Sequence, residues 1–560
     1  RPSQQTADNA VTRSVDDRGT QGISVSYRFN GMEYATKTEK GTPYQYLHIR
    51  DFTYLKNTGK PALPVHYDLV LIPEGSRAEI RVKEGAVMNL SPWLVYPALR
   101  MATDREGDPE PEFEIDEAFY SGNQLYPEQS VRISGSILVK GLEMAIIEVC
   151  PVRYMPSART LYVYPDLQYE VVFTPAESFI REDHFSARFL EQLPNFVLNN
   201  ASLKKELSSK TASKAVSGPA VDYIIVTHDN YLAAADSLAQ WKAQLGYSCE
   251  IVSASSWTSA TVKQAIQQRY QNWNPKPDYF VILGDHNLVP GEIHQDPSYG
   301  DDFATDLYYA CMDGGSDYVA DMAFGRISVS SATEAMNVVR KIINYERNPP
   351  STAAFYTSGL NCAQFQDDDS NSYEDRRFSL TSEDIRTYLV NQHGFSINRV
   401  YKTDSDITLL YWNDGYYAAG EPVPANLRKP TFAWDGDKYD IRDEINSASG
   451  RLFVLHRDHG YVGGSGWATP QFVTSDINML NNGNRTPVVF SINCHTGEYQ
   501  LTECFSEKFL RYNNGGAVGV FGAAYYSYSG YNDGLVIGMF DAIWANPGLI
   551  PNFTGNGDYP

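Results

Sequence analysis

His459 and Cys494 are the two residues of this 560-residue chain whose types and settings best suit chemistry. Cys494 lies in Asn493-Cys494-His495-Thr496-Gly497 and His459 in His456-Arg457-Asp458-His459-Gly460, so each stands in a polar turn that glycine can bend. A thiol attacks only as its thiolate; with an ordinary pKa near ~8.5 it needs an imidazolium beside it to hold that charge at neutral pH. The same imidazole can then protonate a leaving amine. Plainer readings compete. A cysteine at a strand end is often just a small buried hydrophobe. A zinc site from His456, His459, Cys494 and His495 is a further rival, although adjacent Cys-His is poor ligand geometry.

The flanking residues say how the pair would meet. Residues 488–492 form an apolar, β-branched run that reads as a strand buried on both faces, and Leu452-Phe453-Val454-Leu455 repeats the design. As parallel neighbours, these strands would present His459 and Cys494 at one carboxyl edge, where open α/β sheets put their sites. The backbone N–H groups of Cys494 and Gly460 would meet a developing oxyanion.

From residue 221 the chain alternates strands with helices (231–245, 259–273, 380–390), and a last helix is expected over 535–544. This predicts an α/β domain with a parallel-rich sheet and helices on both faces. Residues 22–173 instead run in short alternating strands, the pattern of an all-β antiparallel sandwich. The expected division is 1–200 sandwich, 201–220 Ser/Lys/Ala-rich linker, 221–355 first α/β subdomain and 356–560 catalytic subdomain. An activating cut would fall in the linker, at Lys204, Lys205, Lys210 or Lys214. Residues 413–440 lack periodicity and read as a lid or surface loop.

These residues also carry a family resemblance. His-Gly after one strand and Asn-Cys-x-x-Gly after the next resemble the signature of the gingipain-type cysteine peptidases, which have a caspase-like fold. Leu283-Gly284-Asp285-His286, Phe324-Gly325-Arg326-Ile327, Asn344-Tyr345-Glu346-Arg347-Asn348 and Glu503-Cys504-Phe505-Ser506-Glu507 extend the likeness over most of the chain from about Asp222. Gly59-Lys60-Pro61-Ala62-Leu63-Pro64-Val65 and Leu125-Tyr126-Pro127 resemble the family's inhibitory N-terminal prodomain. The resemblance implies a cysteine endopeptidase made as a zymogen, acting on protein or peptide substrates, and secreted or held at the outer cell surface of a Bacteroidetes-type bacterium. It implies that Asp367 or, preferred, Asp368 orients His459. It puts Arg105 in the specificity pocket of the zymogen, and hence a basic P1 residue. The aspartate that binds arginine in the Arg-specific members aligns with Ser379, so Glu374, Asp375 or Asp533 would have to substitute; a small or neutral P1 is the alternative. A surface sortase of the same fold and a surface protein with a decayed site are competing functions.

Asp313, Asp317 and Asp321 recur at four-residue intervals in a glycine-bearing loop, a pattern suited to Ca²⁺. The resemblance implies a structural calcium on Asp285, Asp317 and Asp321; catalysis itself requires no cofactor. The balance of 68 acidic against 46 basic residues argues against nucleic acid as a partner. Six scattered cysteines give no disulfide framework. No transmembrane run and no signal peptide is visible, and Arg1-Pro2-Ser3 reads as a trimmed start.

Overall fold

The computed structural model describes residues 11–49, 52–109, 111–176, 185–186, 189, 197–200, 221–315, 317–413 and 420–543. The expected linker cut sites lie outside them. The fold class is the one expected from the sequence, a β-sandwich followed by an α/β unit with parallel sheets.

In the sandwich, Val11–Asp17, Gly22–Phe29, Asp166–Pro175 and Ser76–Glu84 form one antiparallel sheet. Thr53–Tyr54, Pro64–Leu71, Leu142–Val149 and Val131–Val139 form the other. Alternate residues point inward, so Ile23, Val25 and Tyr27 share a core with Tyr169 and Val171 and with Val65, Ala145 and Ile147.

Two parallel sheets organise the α/β unit. Cys249–Ala254, Tyr223–His228, Tyr279–Leu283 and Ala323–Ile327 make a four-stranded parallel sheet. Ser396–Lys402, Ser358–Gln364, Phe453–Arg457, Val488–Ile492 and Gly519–Gly522 make a five-stranded one, also parallel throughout. Strand alternation sends side chains to two cores. Val454 and Val489 pack under the helices Lys438–Asn446 and Phe505–Arg511. Phe453, Leu455 and Phe490 pack on the other face against Phe378–His393 and Ser529–Asp541. Central strands covered on both sides must be apolar along their whole length, which is why they stand out in the sequence.

The helix expected at 380–390 begins earlier, at Phe378, because the Glu374 carboxylate accepts the backbone N–H of Ser379 and so satisfies its first turn. The last helix also begins earlier than expected, at Ser529. The segment expected as a lid is partly core: Val423, Leu427 and Trp434 are buried against Phe365 and Tyr401.

Candidate active site

The histidine strand and the cysteine strand are hydrogen-bonded neighbours, with Arg457 opposite Ile492. Both chains leave the sheet at the same edge and carry His459 and Cys494 out two residues later. The turn after Ile492 is tight: His495 adopts φ 62°, its N–H reaches the Tyr525 carbonyl at 3.0 Å, and the Gly497 N–H reaches Ala523 at 2.9 Å. Gly460 must be glycine. A Cβ there would lie 2.1 Å from the Cys494 carbonyl oxygen.

His459 is positioned by a residue that carries no charge. Its Nε2 lies 2.9 Å from Gln366 Oε1, and Gln366 Nε2 donates to Asp368 Oδ2 at 2.7 Å. Asp368 thus reaches the imidazole through Gln366. Asp367 faces the other way and accepts the N–H groups of Asn371 and Ser372. Asp458 also points away from the imidazole, accepting the Thr469 N–H. His456 stacks on Trp467 at 4.3 Å and bonds Asn493. His495 bonds Glu498. The expected zinc alternative therefore has no converging ligands, and among the described residues the metal-apt groups are all carboxylates.

The site is filled by the sandwich domain. Residues 102–106 lie extended across it: the Asp104 N–H donates to the Ser527 carbonyl, the Ser529 N–H to Ala102, and the Glu106 N–H to Gly460, each at 2.9 Å. The Asp104 carbonyl accepts the N–H of Gly460 at 2.9 Å and of Cys494 at 3.2 Å. This is the two-donor cradle that a carbonyl under attack would need.

The Asp104 side chain turns into a closed pocket and is fully buried. Its Oδ2 accepts from Arg457 Nη1 at 2.9 Å and Asn532 Nδ2 at 2.6 Å, and its Oδ1 from the Ser529 hydroxyl at 2.7 Å. Arg376 lies 4.0 Å away. Arg105, expected in this pocket, is one residue beyond it: its guanidinium bonds Tyr526 OH and lies 3.4 Å from Asp108. The physical reason is register, since the cradle fixes residue 104 as the one whose side chain enters.

The carboxylates expected to bind a basic residue are otherwise engaged. Asp533 lines the pocket but holds Arg457 Nη2 at 2.6 Å and the Thr381 hydroxyl at 3.0 Å. Asp375 accepts the Asp368 N–H. Ser379 is buried and donates to Glu374 at 2.5 Å.

Burial sets the protonation of the pair. Desolvation pushes the Cys494 thiol up to about 12, helped by the Asp104 charge. Desolvation also lowers His459 to about 4. The thiol donates to the Ser527 carbonyl at 3.2 Å, and His459 Nδ1 has no hydrogen-bond partner among the described residues. In this closed form the pair is neutral and the sulfur a poor nucleophile.

Remote from this edge, Asp313, Asp317 and Asp321 bring carboxylate oxygens within 4.8 Å of one another. Asp285, expected among them, instead accepts Arg511 at 3.0 Å. Asp321 is raised to about 7 by burial and by Asp313. The sandwich reaches this cluster too: the backbone N–H of Lys140 bonds Asp321, and that of Gly141 bonds Asp313 at 3.0 Å.

Comparison with known proteins bears on this arrangement. The family model described as Peptidase family C25 matches residues 217–556, and the C25 propeptide model matches residues 5–184. Lys-gingipain HG66 of Porphyromonas gingivalis is 22% identical over 552 residues, covering 95% of this chain and 29% of that protein. Gingipain R1 of the same organism is 21% identical over 514 residues, covering 90% of this chain and 46% of its own length. The chain thus spans less than half the length of these curated relatives. Among solved structures, the Arg-specific cysteine proteinase gingipain R is 20% identical with a TM-score of 0.46, over 60% of this chain and 71% of that one. The complex of the RgpB pro- and mature domains is 20% identical with a TM-score of 0.45, over 58% and 69%.

Proposed function

Because the chain belongs to peptidase family C25 and carries that family's propeptide ahead of its catalytic unit, we propose that it is a cysteine endopeptidase in its latent form, with its own sandwich domain as the inhibitor. The observation that carries this reading is the Asp104 carbonyl, held by the N–H groups of both Gly460 and Cys494. A peptide carbonyl in that cradle is where a scissile carbonyl would lie, beside the one cysteine at the strand edge.

Once the propeptide leaves, water returns to the sulfur and the Asp104 charge is gone, so the thiol pKa falls toward its ordinary value. Gln366 fixes the tautomer of the base. Its amide nitrogen faces the Asp368 carboxylate, so its oxygen faces His459 and accepts the Nε2 proton. Nδ1 is then the nitrogen left to take the thiol proton. Cys494 adds to the carbonyl carbon, the oxyanion is met by the two N–H groups, and the imidazolium returns its proton to the leaving amine. Water releases the acyl group in the second half-reaction.

A secreted or surface location fits the kinship with the gingipains; no described helix is long and apolar enough to cross a membrane. A structural calcium is proposed at Asp313, Asp317 and Asp321, whose clustered oxygens suit a hard cation. It would tie down a loop and take no part in the chemistry.

The test is limited proteolysis between the two domains, followed by alkylation with iodoacetamide. Labelling of Cys494 that rises with cleavage, together with peptide hydrolysis lost in Cys494→Ala, is expected. Hydrolysis that persists in Cys494→Ala refutes the reading.

A further inference from the structure

We propose that the pocket beside Cys494 selects an aspartate as the P1 residue of its substrates, with Arg457 and Arg376 as the residues that determine this specificity. The inference rests on the peptidase reading and extends it to a substrate class. The residue whose carbonyl sits in the oxyanion cradle is, by that geometry, in the P1 position, and its side chain reports what the adjoining pocket accepts. That residue is Asp104, and every direct partner of its carboxylate is a hydrogen-bond donor: Arg457, Asn532 and the Ser529 hydroxyl.

The pocket's charges point the same way. Two buried guanidiniums, Arg457 and Arg376, lie at the Asp104 carboxylate, and Asp533 is already held by Arg457. A lysine or arginine entering the same space would bury a further cation beside these two and would need a carboxylate to meet it. Glu374 does not supply one, because it is committed to the start of the helix through Ser379 and Leu380.

The pocket is also rigid. Arg457 is fully buried, ends a central strand, lies over the Phe378 ring at 5.0 Å and bonds the Ile492 carbonyl at 2.7 Å. A planar fork held this way suits a carboxylate and its geometry. The polypeptide around Asp104 also makes the pairings a substrate would make, with its N–H on Ser527 and the residue two before it on Ser529.

The experiment has two arms, both on the full chain. In the first, the chain is activated by limited proteolysis and given fluorogenic peptides that differ only at P1: Asp, Asn, Glu, Ala, Lys and Arg. The expected kcat/KM for Asp exceeds that for Lys and Arg by at least ~100-fold, in line with leaving a buried polar site unpaired. Preference for Lys or Arg, or indifference, overturns the proposal. The second arm needs no turnover. In the uncleaved chain, Asp104→Arg and Asp104→Asn are expected to raise the rate of Cys494 alkylation at least ~10-fold, while Arg105→Ala changes it less than ~2-fold. Protection in Asp104→Arg equal to that of the parent chain overturns the pocket assignment. Loss of protection with no peptide cleaved leaves the acid pocket standing and refutes the peptidase reading instead.

Discussion

Gln366 separates His459 from Asp368: the imidazole Nε2 lies 2.9 Å from the amide oxygen, and the amide nitrogen lies 2.7 Å from the carboxylate. A neutral relay of this kind transmits orientation and tautomer without placing a charge on the base.

Replacing the amide therefore separates positioning from binding. Gln366→Ala in the activated chain is expected to lower kcat about 10- to 100-fold with KM changed less than about 2-fold, since the loss falls on proton transfer. Gln366→Glu should move the acid limb of the pH profile upward by stabilising the imidazolium. A KM effect with kcat intact would assign Gln366 to substrate binding.

The buried histidine–cysteine pair should favour the closed form most within a bounded pH window. His459 is depressed to about 4, so as pH falls below its ordinary ~6.5 the opened or unfolded chain takes a proton that the closed site refuses. Stability present above that value is lost on the way down, and His456, pushed well below its ordinary value by burial, adds to the loss. Cys494 works from the other side: its thiol is raised to about 12, so above ~8.5 the open form sheds a proton that the closed form keeps. The urea midpoint of the parent chain relative to that of His459→Phe should therefore fall between about pH 6.5 and about 4.5, a comparison that cancels the other buried acids. A relative midpoint that does not change over that range would contradict the His459 protonation state.

Gly460→Ala tests close approach. The added Cβ would lie 2.1 Å from the Cys494 carbonyl and 3.2 Å from Asn493 Cγ, so one of the two turns has to move. Loss of detectable hydrolysis is expected, with a stability cost of roughly 1–3 kcal/mol as for other overpacked sites. Gly483→Ala, at a turn with open space around it, should keep full activity, although its φ of 58° makes it mildly strained. Wild-type activity in Gly460→Ala would mean that the turns are looser than described.

Calcium can be checked by thermal unfolding. Adding Ca²⁺ over EDTA should raise the Tm of the full chain by about 2–4 °C. The rise should be larger at pH 8 than at pH 6, because protons compete with the cation for these carboxylates, and burial beside Asp313 raises Asp321 to about 7. Equal Tm values in the two buffers at pH 8 would remove the cation from the description.

What the sequence revealed follows from what it encodes locally. The His459–Cys494 pair is legible because both residues follow apolar runs, and central strands cannot hide their composition. Arg457 carries a signal of its own, a cation closing an apolar strand, and it is fully buried beside Asp104. Gln366 gave no signal, because an uncharged side chain in an aspartate-rich loop looks like any loop residue. The Asp104–Arg105 register was off by one, since counting along a loop fixes neighbourhood but not which side chain turns inward. Asp285 faced a similar limit: a strand-end carboxylate suits a cation or an arginine equally, and only the fold brings Arg511 to it.

The histidine and cysteine turns leave the hydrogen-bonded ladder of two adjoining central strands, and residues 102–106 contribute no rung to that ladder. On the proposed reading, latency is then a matter of occupancy and dryness, with no scaffold left to assemble. Uncorking alone should yield a working enzyme, so the waking step should run at the pace at which the plug departs.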